Sequence, residues 1–197
     1  MSIIGVLQEI STPTLDALLE DPSLVEEFIA GDSPLDVEAE RLDLDQYFSD
    51  LTYLLAGYNP DYISYEATTF PELKANHELM ELSENKDFIP FTVIAKSKWD
   101  GLPLVNAFGA GIEIGDEMGY GKARYISAEQ VKEMSEGLFT LGQEGFETRL
   151  NRASENEDLP FDLAKDIQEF LIEYFGEMLD YYQNAASRGS AMLLYLT

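Results

Sequence analysis

The densest group of chemistry-bearing residues lies in EIGDEMGYGKARYISAEQV, residues 113–131. Gly119, Tyr120, Gly121, Lys122, Arg124 and Tyr125 place glycines and cations just ahead of a helix start at Ser127. Glycine-loop amides, a lysine and a helix N-terminus together are the parts of a phosphate site. The spacing does not fit a P-loop, G-x-x-x-x-G-K-[ST]. Ala123 stands where the magnesium-binding hydroxyl belongs, and Asp116 where the first glycine belongs. Carboxylates at Asp116 and Glu117 repel phosphate. A dinucleotide fingerprint fails too, because Gly109, Gly111 and Gly115 are spaced one residue too long and lack a βαβ context. Two readings remain. The glycines supply positive-φ or crowded backbone positions between packed elements. Alternatively, residues 119–125 form a small anionic-ligand site using Tyr120, Lys122 and Arg124, with the helix N-terminus adding positive potential.

Other reactive patterns are incomplete. His77 is the sole histidine, so a Ser-His-Asp triad would have to use it, and no nucleophile elbow accompanies it. His77-Glu78-Leu79-Met80-Glu81 begins like H-E-x-x-H but lacks the second histidine, so His77 reads as a surface residue. Asp43-Leu44-Asp45 opens like a calcium loop, and Tyr47 and Phe48 break it. Residues 151–158 read as a solvated acidic loop rather than a cation site. With no cysteine there is no disulfide, thiolate ligand or cysteine nucleophile. Carboxylate chemistry stays open, but carboxylates are too many for sequence to select a pair. The reading assigns no catalytic residue, no metal and no cofactor, and leans away from an enzyme.

The charge excludes more than the motifs do. The 197-residue chain holds 38 acidic against 12 basic residues, a formal net charge of -26. Such a surface repels nucleic acid and anionic membranes and attracts basic proteins or cations. The first 50 residues carry about 13 acids and one cation, Arg41. No apolar run nears the roughly 20 residues that span a bilayer. MSIIGVLQEI has no basic flank and reads as a strand rather than a signal peptide. A cytoplasmic location is expected.

Hydrophobic spacing predicts the elements that must carry these residues. A strand is expected over 2–10, then two short helices opened by Thr12-Pro13 and Asp21-Pro22, the second stopping at Gly31. Asp43 is expected to cap a third helix ending near Gly57. A helix over 71–82 and a strand over 91–95 follow, and one short strand, 124–126, leaves the glycine segment. Ser127 and Gln130 form a capping box that opens a helix to about Phe139, with a further helical piece over 142–150. The last helix runs over 162–187, and SAMLLYLT closes the chain as a strand beside the first. Strands at both ends with helices between predict a single α+β domain with a small, mostly antiparallel sheet, and residues from about 58 to 104 read as an insertion.

The last helix places Asp162, Asp166, Glu169, Glu173, Glu177 and Asp180 at steps of three or four, within a narrow arc. Leu163, Ile167, Phe170, Tyr174, Met178 and Tyr181 line an adjoining arc, and Leu171, Phe175, Leu179 and Tyr182 widen it to about half the helix, so this side should face the core. The acids lack compensating cations at i+4, and each like pair costs roughly 0.2–0.5 kcal/mol. This is either an ordinary solvated face or a docking ridge for a basic partner. As a DNA mimic it is sparse, with one charge per about 5–6 Å of axis against about 1.7 Å for a duplex. Mimicry would need the acid-rich N-terminal third alongside.

IIGVLQEIS, RLDLDQYFSDLTYLLAGY, PLVNAFGAGIEIGDEMGYGKARYISAEQVKEM and the terminal helix with its strand resemble the YfbM-like family, a bacterial domain of unknown function (family 1877). The resemblance spans nearly the whole chain. It implies a compact α+β domain and brings no established activity. Its recognisable core, GYG.AR, is matched by Gly119, Tyr120, Gly121, Ala123 and Arg124, which favours a shared structural role for that segment. Family members often carry a tryptophan and a histidine where this chain has Phe48 and Thr52, so a catalytic role for that histidine would be lost here. The functional expectation is a non-enzymatic, acidic, inhibitor- or immunity-like domain that binds a basic protein. The alternative is a small anionic-ligand-binding protein or weak enzyme using residues 119–125.

Overall fold

The computed structural model describes residues 3–33, 35, 40–56, 93–97, 100–155 and 163–197. In chain order its elements are β1 (Gly5–Ile10), α1 (Thr12–Glu20), α2 (Leu24–Ala30), β2 (Arg41–Asp43), a 3-10 turn (Asp45–Tyr47) and α3 (Phe48–Ala56). Then come β3 (Val93–Lys96), β4 (Pro103–Val105), β5 (Ile112–Met118), β6 (Gly121–Ile126), α4 (Ala128–Ser154), α5 (Lys165–Arg188) and β7 (Ala191–Leu196).

Strand β7 explains the architecture. Its residues alternate between two apolar environments: Met192 and Leu194 enter one core, Ala191, Leu193 and Tyr195 the other. A strand apolar on both faces must lie inside a sheet covered on both sides. It does: the five-stranded antiparallel sheet runs β2-β1-β7-β6-β5. β1 alternates in step, with Leu7 on one side and Val6 and Ile10 on the other. Helices α1 and α2 cover the second face through Leu15, Leu18, Val25 and Phe28. Helices α3, α4 and α5 cover the first, through Leu51, Leu138, Phe175 and their neighbours. Each such fully buried side chain favours folding by about 1.5–3 kcal/mol. The result is a three-layered α+β domain in which the first and last strands pair from Gly5↔Leu196 to Ile10↔Ala191.

Local signals set the helix ends. Ser127 and Gln130 cap α4 reciprocally, and Gly31 and Gly189 terminate α2 and α5 in the left-handed conformation. Ser11, rather than Thr12, caps α1.

Three expectations are corrected. Asp43 lies in β2, and the third helix begins after the 3-10 turn. The glycine segment holds two paired strands, β5 and β6, instead of one. The two helical pieces expected after Ser127 are both present within α4, separated at Gly142, whose backbone leaves the helical region (φ 62°, ψ 172°) where a side chain would be strained. Of the apolar face expected on α5, Leu171, Phe175, Met178, Tyr181 and Tyr182 are buried as expected, but Phe170 is 46% exposed. The helix expected over 71–82, His77 and most of the expected insertion lie outside the described residues; β3 and β4 pair as a separate two-stranded sheet.

Candidate functional site

The glycine segment is a β-hairpin. Met118 pairs with Gly121, leaving Gly119 and Tyr120 as the turn. Tyr120 and Lys122 are exposed there. Arg124 instead turns inward, donating from Nη1 to the Gly109 carbonyl at 2.9 Å and from Nη2 to the Phe108 carbonyl at 3.0 Å. Its guanidinium carbon also lies 5.9 Å from the centre of the Phe108 ring. Tyr125 projects from the opposite face of β6, against the α1–α2 side of the core. At the start of α4 the Ser127 hydroxyl accepts from the Gln130 amide at 3.3 Å. The Gln130 side chain accepts from the Ser127 amide at 2.9 Å, so this helix end carries its own cap.

Arg124 points inward because of the segment beside it. Residues 103–111, PLVNAFGAG, are all buried although most of them are irregular. A buried irregular backbone leaves carbonyls that only side chains or water can satisfy. Three elements supply donors. Arg124 from β6 serves Phe108 and Gly109, Arg149 from α4 donates to the Pro103 carbonyl at 2.9 Å, and the Tyr182 hydroxyl from α5 donates to the Ala107 carbonyl. Burial pushes the Tyr182 hydroxyl pKa far up, so it stays a donor. Gly111 closes the segment at φ 114°, where a Cβ would lie 2.8 Å from the Tyr125 carbonyl oxygen. No side chain fits there without displacing β6.

Arg149 has a side chain with 0% exposure and makes five hydrogen bonds. Nε meets Asp100 Oδ2 at 2.7 Å, and Nη1 reaches the Leu55 carbonyl at 3.2 Å. Burial raises the Asp100 pKa, but the Arg149 hydrogen bond, the Leu102 amide and the Arg149 charge outweigh it and hold the carboxyl below its usual range. The fork therefore fastens α3, β4 and the turn before β4 to α4. Composition and spacing do not reveal this, since Asp100 lies 49 residues from Arg149.

A second ionic cluster joins the chain ends. Arg188 Nε donates to Glu9 Oε1 at 2.7 Å, Nη2 donates to Glu9 Oε2, and the same nitrogen reaches Glu40 at 3.2 Å. Ser190 donates to Glu9 at 2.6 Å. The Tyr181 hydroxyl accepts from the Glu9 amide at 2.6 Å and donates to the Glu40 carbonyl at 2.6 Å. Burial alone would raise the Glu9 pKa; the bonds from Arg188 and Ser190 and the Arg188 charge bring it below its ordinary value. A carboxylate held this way is a structural anchor and a poor proton acceptor.

The outer surface of α5 differs in kind. Asp166, Glu169, Glu173, Glu177 and Asp180 are all exposed, and Asp162 lies outside the described residues. One cation sits four residues before Glu169: Lys165 approaches it at 3.9 Å, with both side chains mostly in water (91% and 71% exposed). Such a pair contributes little and leaves the ridge negative. The acids of α1 and α2 lie across the sheet from α5, so they do not extend the ridge as a duplex mimic would require.

Beside the ridge the aromatic rings are not submerged. Tyr47, in the 3-10 turn, stacks on Phe170 with centroids 6.0 Å apart and planes at 23°, and meets Tyr174 at 5.5 Å. Asp45 stands at the edge with φ 48°, the one non-glycine residue of positive φ among those described. Burial, followed by the charges of Asp45 and Glu177, raises the Tyr174 hydroxyl pKa. Those carboxylates therefore lie close enough to the ring to be felt. Sequence reading placed Phe170 and Tyr174 in the core. Tyr47 had no signal, because its ring partners are distant in sequence.

Among the described residues, no group of three or more His, Asp or Glu side chains is placed to hold a metal ion. No helix among them is long and apolar enough to cross a membrane.

The class defined so far is a three-layered α+β domain with an acidic, aromatic outer face on α5. The profile of the family described as "Domain of unknown function (DUF1877)" matches residues 1–195, and the chain belongs to that family. Among solved structures, the protein of unknown function YfbM from Escherichia coli is similar, with a TM-score of 0.52 at 13% identity, covering 98% of this chain and 99% of that one. At that identity the likeness shows the fold alone. Comparison with curated proteins gave no match.

Proposed function

We propose that this chain is a non-enzymatic, cytoplasmic protein-binding domain, inhibitor- or immunity-like in character, whose acidic face on α5 engages a basic protein. The observation that carries this reading is the exposure of Asp166, Glu169, Glu173, Glu177 and Asp180 in one row on a rigid helix. A net charge of -26 supports it by favouring cationic partners at long range. The inward commitment of Arg124, Arg149 and Tyr182 to backbone carbonyls supports it as well, because these donors are withdrawn from a ligand. An anionic-ligand site at Gly119–Tyr125 has weaker support: Lys122 is exposed beside Tyr120, but the Arg124 guanidinium is engaged with the buried segment.

The test is affinity capture from the source proteome with the native protein and with a ridge-neutralised variant, D166N/E169Q/E173Q/E177Q/D180N. All five positions are exposed, so the variant should fold. The native protein should retain a basic partner that is released by about 0.5 M salt, where screening acts over roughly 4 Å. The neutralised variant should not retain it. Equal retention of the same partner by both proteins would overturn the reading.

A further inference from the structure

We infer that the Tyr47–Phe170–Tyr174 shelf is a seat for an arginine side chain of the basic partner, an inference that rests on the acidic-face reading above. Aromatic ring faces attract cations, and carboxylates at the rim add direct charge. Here the two coincide. Phe170 and Tyr174 are one helical turn apart on α5, with Glu173 and Glu177 at the next steps of the same helix. Tyr47 closes the shelf from the 3-10 turn, which Asp45 opens. Phe170 is 46% exposed although it belongs to this cluster, so an apolar ring face meets water where the surface is otherwise acidic.

Charge selects the occupant. Two copies of a chain at -26 repel each other, as do nucleic acid and anionic membranes. A neutral apolar partner would strand the carboxylates of Asp45, Glu173 and Glu177 without water or counter-charge. A guanidinium satisfies both parts of the surface. It stacks on rings, is weakly hydrated, and forks to carboxylates in a way an ammonium cannot. The shelf thus adds a preference among basic side chains to a ridge that otherwise reads only charge.

The test compares two synthetic peptides, nona-arginine and nona-lysine, titrated into the native protein at low salt by calorimetry. The expected result is binding of both, with nona-arginine tighter by about two- to fivefold beyond the ratio seen with F170A, the size of an exposed cation–ring contact. F170L keeps the apolar bulk without the ring face, and it should lose the same preference. The E173Q/E177Q variant should weaken both peptides. An arginine preference that survives in both Phe170 variants overturns the shelf and leaves the ridge standing. Failure of both peptides to bind the native protein overturns both readings. Circular dichroism of F170A and F170L confirms folding, and loss of shelf binding without loss of helix signal is the decisive combination.

Discussion

Replacing Arg149 with methionine removes one guanidinium from four groups, the Leu55, Leu102 and Pro103 carbonyls and the Asp100 carboxylate, of which the Leu102 carbonyl keeps the Ser97 amide at 2.8 Å and Asp100 keeps the Leu102 amide at 2.8 Å. An orphaned buried polar group costs about 1–3 kcal/mol, but the four costs do not add. Three of the bonds, to the Leu55 carbonyl, Asp100 Oδ1 and the Leu102 carbonyl, are already long at 3.2, 3.2 and 3.3 Å. The Asp100 side chain retains 10% exposure, through which water can reach it. The expected loss is therefore that of breaking one buried pair, about 3–5 kcal/mol. For a chain of this size that lowers Tm by roughly 6–20 °C. Urea unfolding followed by circular dichroism measures it. The double variant R149M/D100N should recover part of the loss, since no carboxylate is then left unpaired. A loss below about 1 kcal/mol, or strict additivity with D100N, would refute the view that this fork holds α3 and β4 to α4.

Three further outcomes are expected. Tyr182→Phe should cost about 1–3 kcal/mol by orphaning the Ala107 carbonyl, measured by the same unfolding assay. Glu9→Gln should cost about 1–2 kcal/mol at neutral pH. Because the folded Glu9 pKa lies below its ordinary 4.5, its contribution is present above that value and is lost as pH falls through the folded value. The gap between native and E9Q stability should therefore close below about pH 4.5, and a gap constant down to acid unfolding would contradict the anchor. Raising salt at neutral pH should raise Tm, because screening relieves the self-repulsion of 38 acids against 12 cations; a scan showing no change would mean that the charges do not interact.

What was legible in the sequence is what local chemistry decides. Ser127 and Gln130 announce the start of α4 because a capping box needs only four adjacent residues. Gly31 and Gly189 mark helix ends for a similarly local reason, the left-handed conformation that glycine adopts freely. The pairing of the end strands followed from two apolar runs that required covered faces. β5 was hidden because IEIGDEM is an edge strand, with Glu113, Asp116 and Glu117 exposed and a register shift after Ile114. Such charges and bulges keep edges from pairing, and they also erase the strand pattern. The glycine segment looked like a ligand loop because Arg124 and the glycines carry the same residue types that bind phosphate. Only three dimensions show the guanidinium turned onto Phe108 and Gly109. The shelf escaped because Phe170 follows helical periodicity, and its exposure depends on what packs above it.

Amide NMR during titration with nona-arginine shows whether a basic partner is held on the outer face of α5. The shifts should concentrate at Asp45–Phe48 and along Asp166–Asp180, and diminish in the ridge-neutralised variant. Equal shifts at Glu113, Asp116 and Glu117 on β5 and at Asp16, Glu26 and Glu27 on the far face would mean the protein attracts cations everywhere and has no such site.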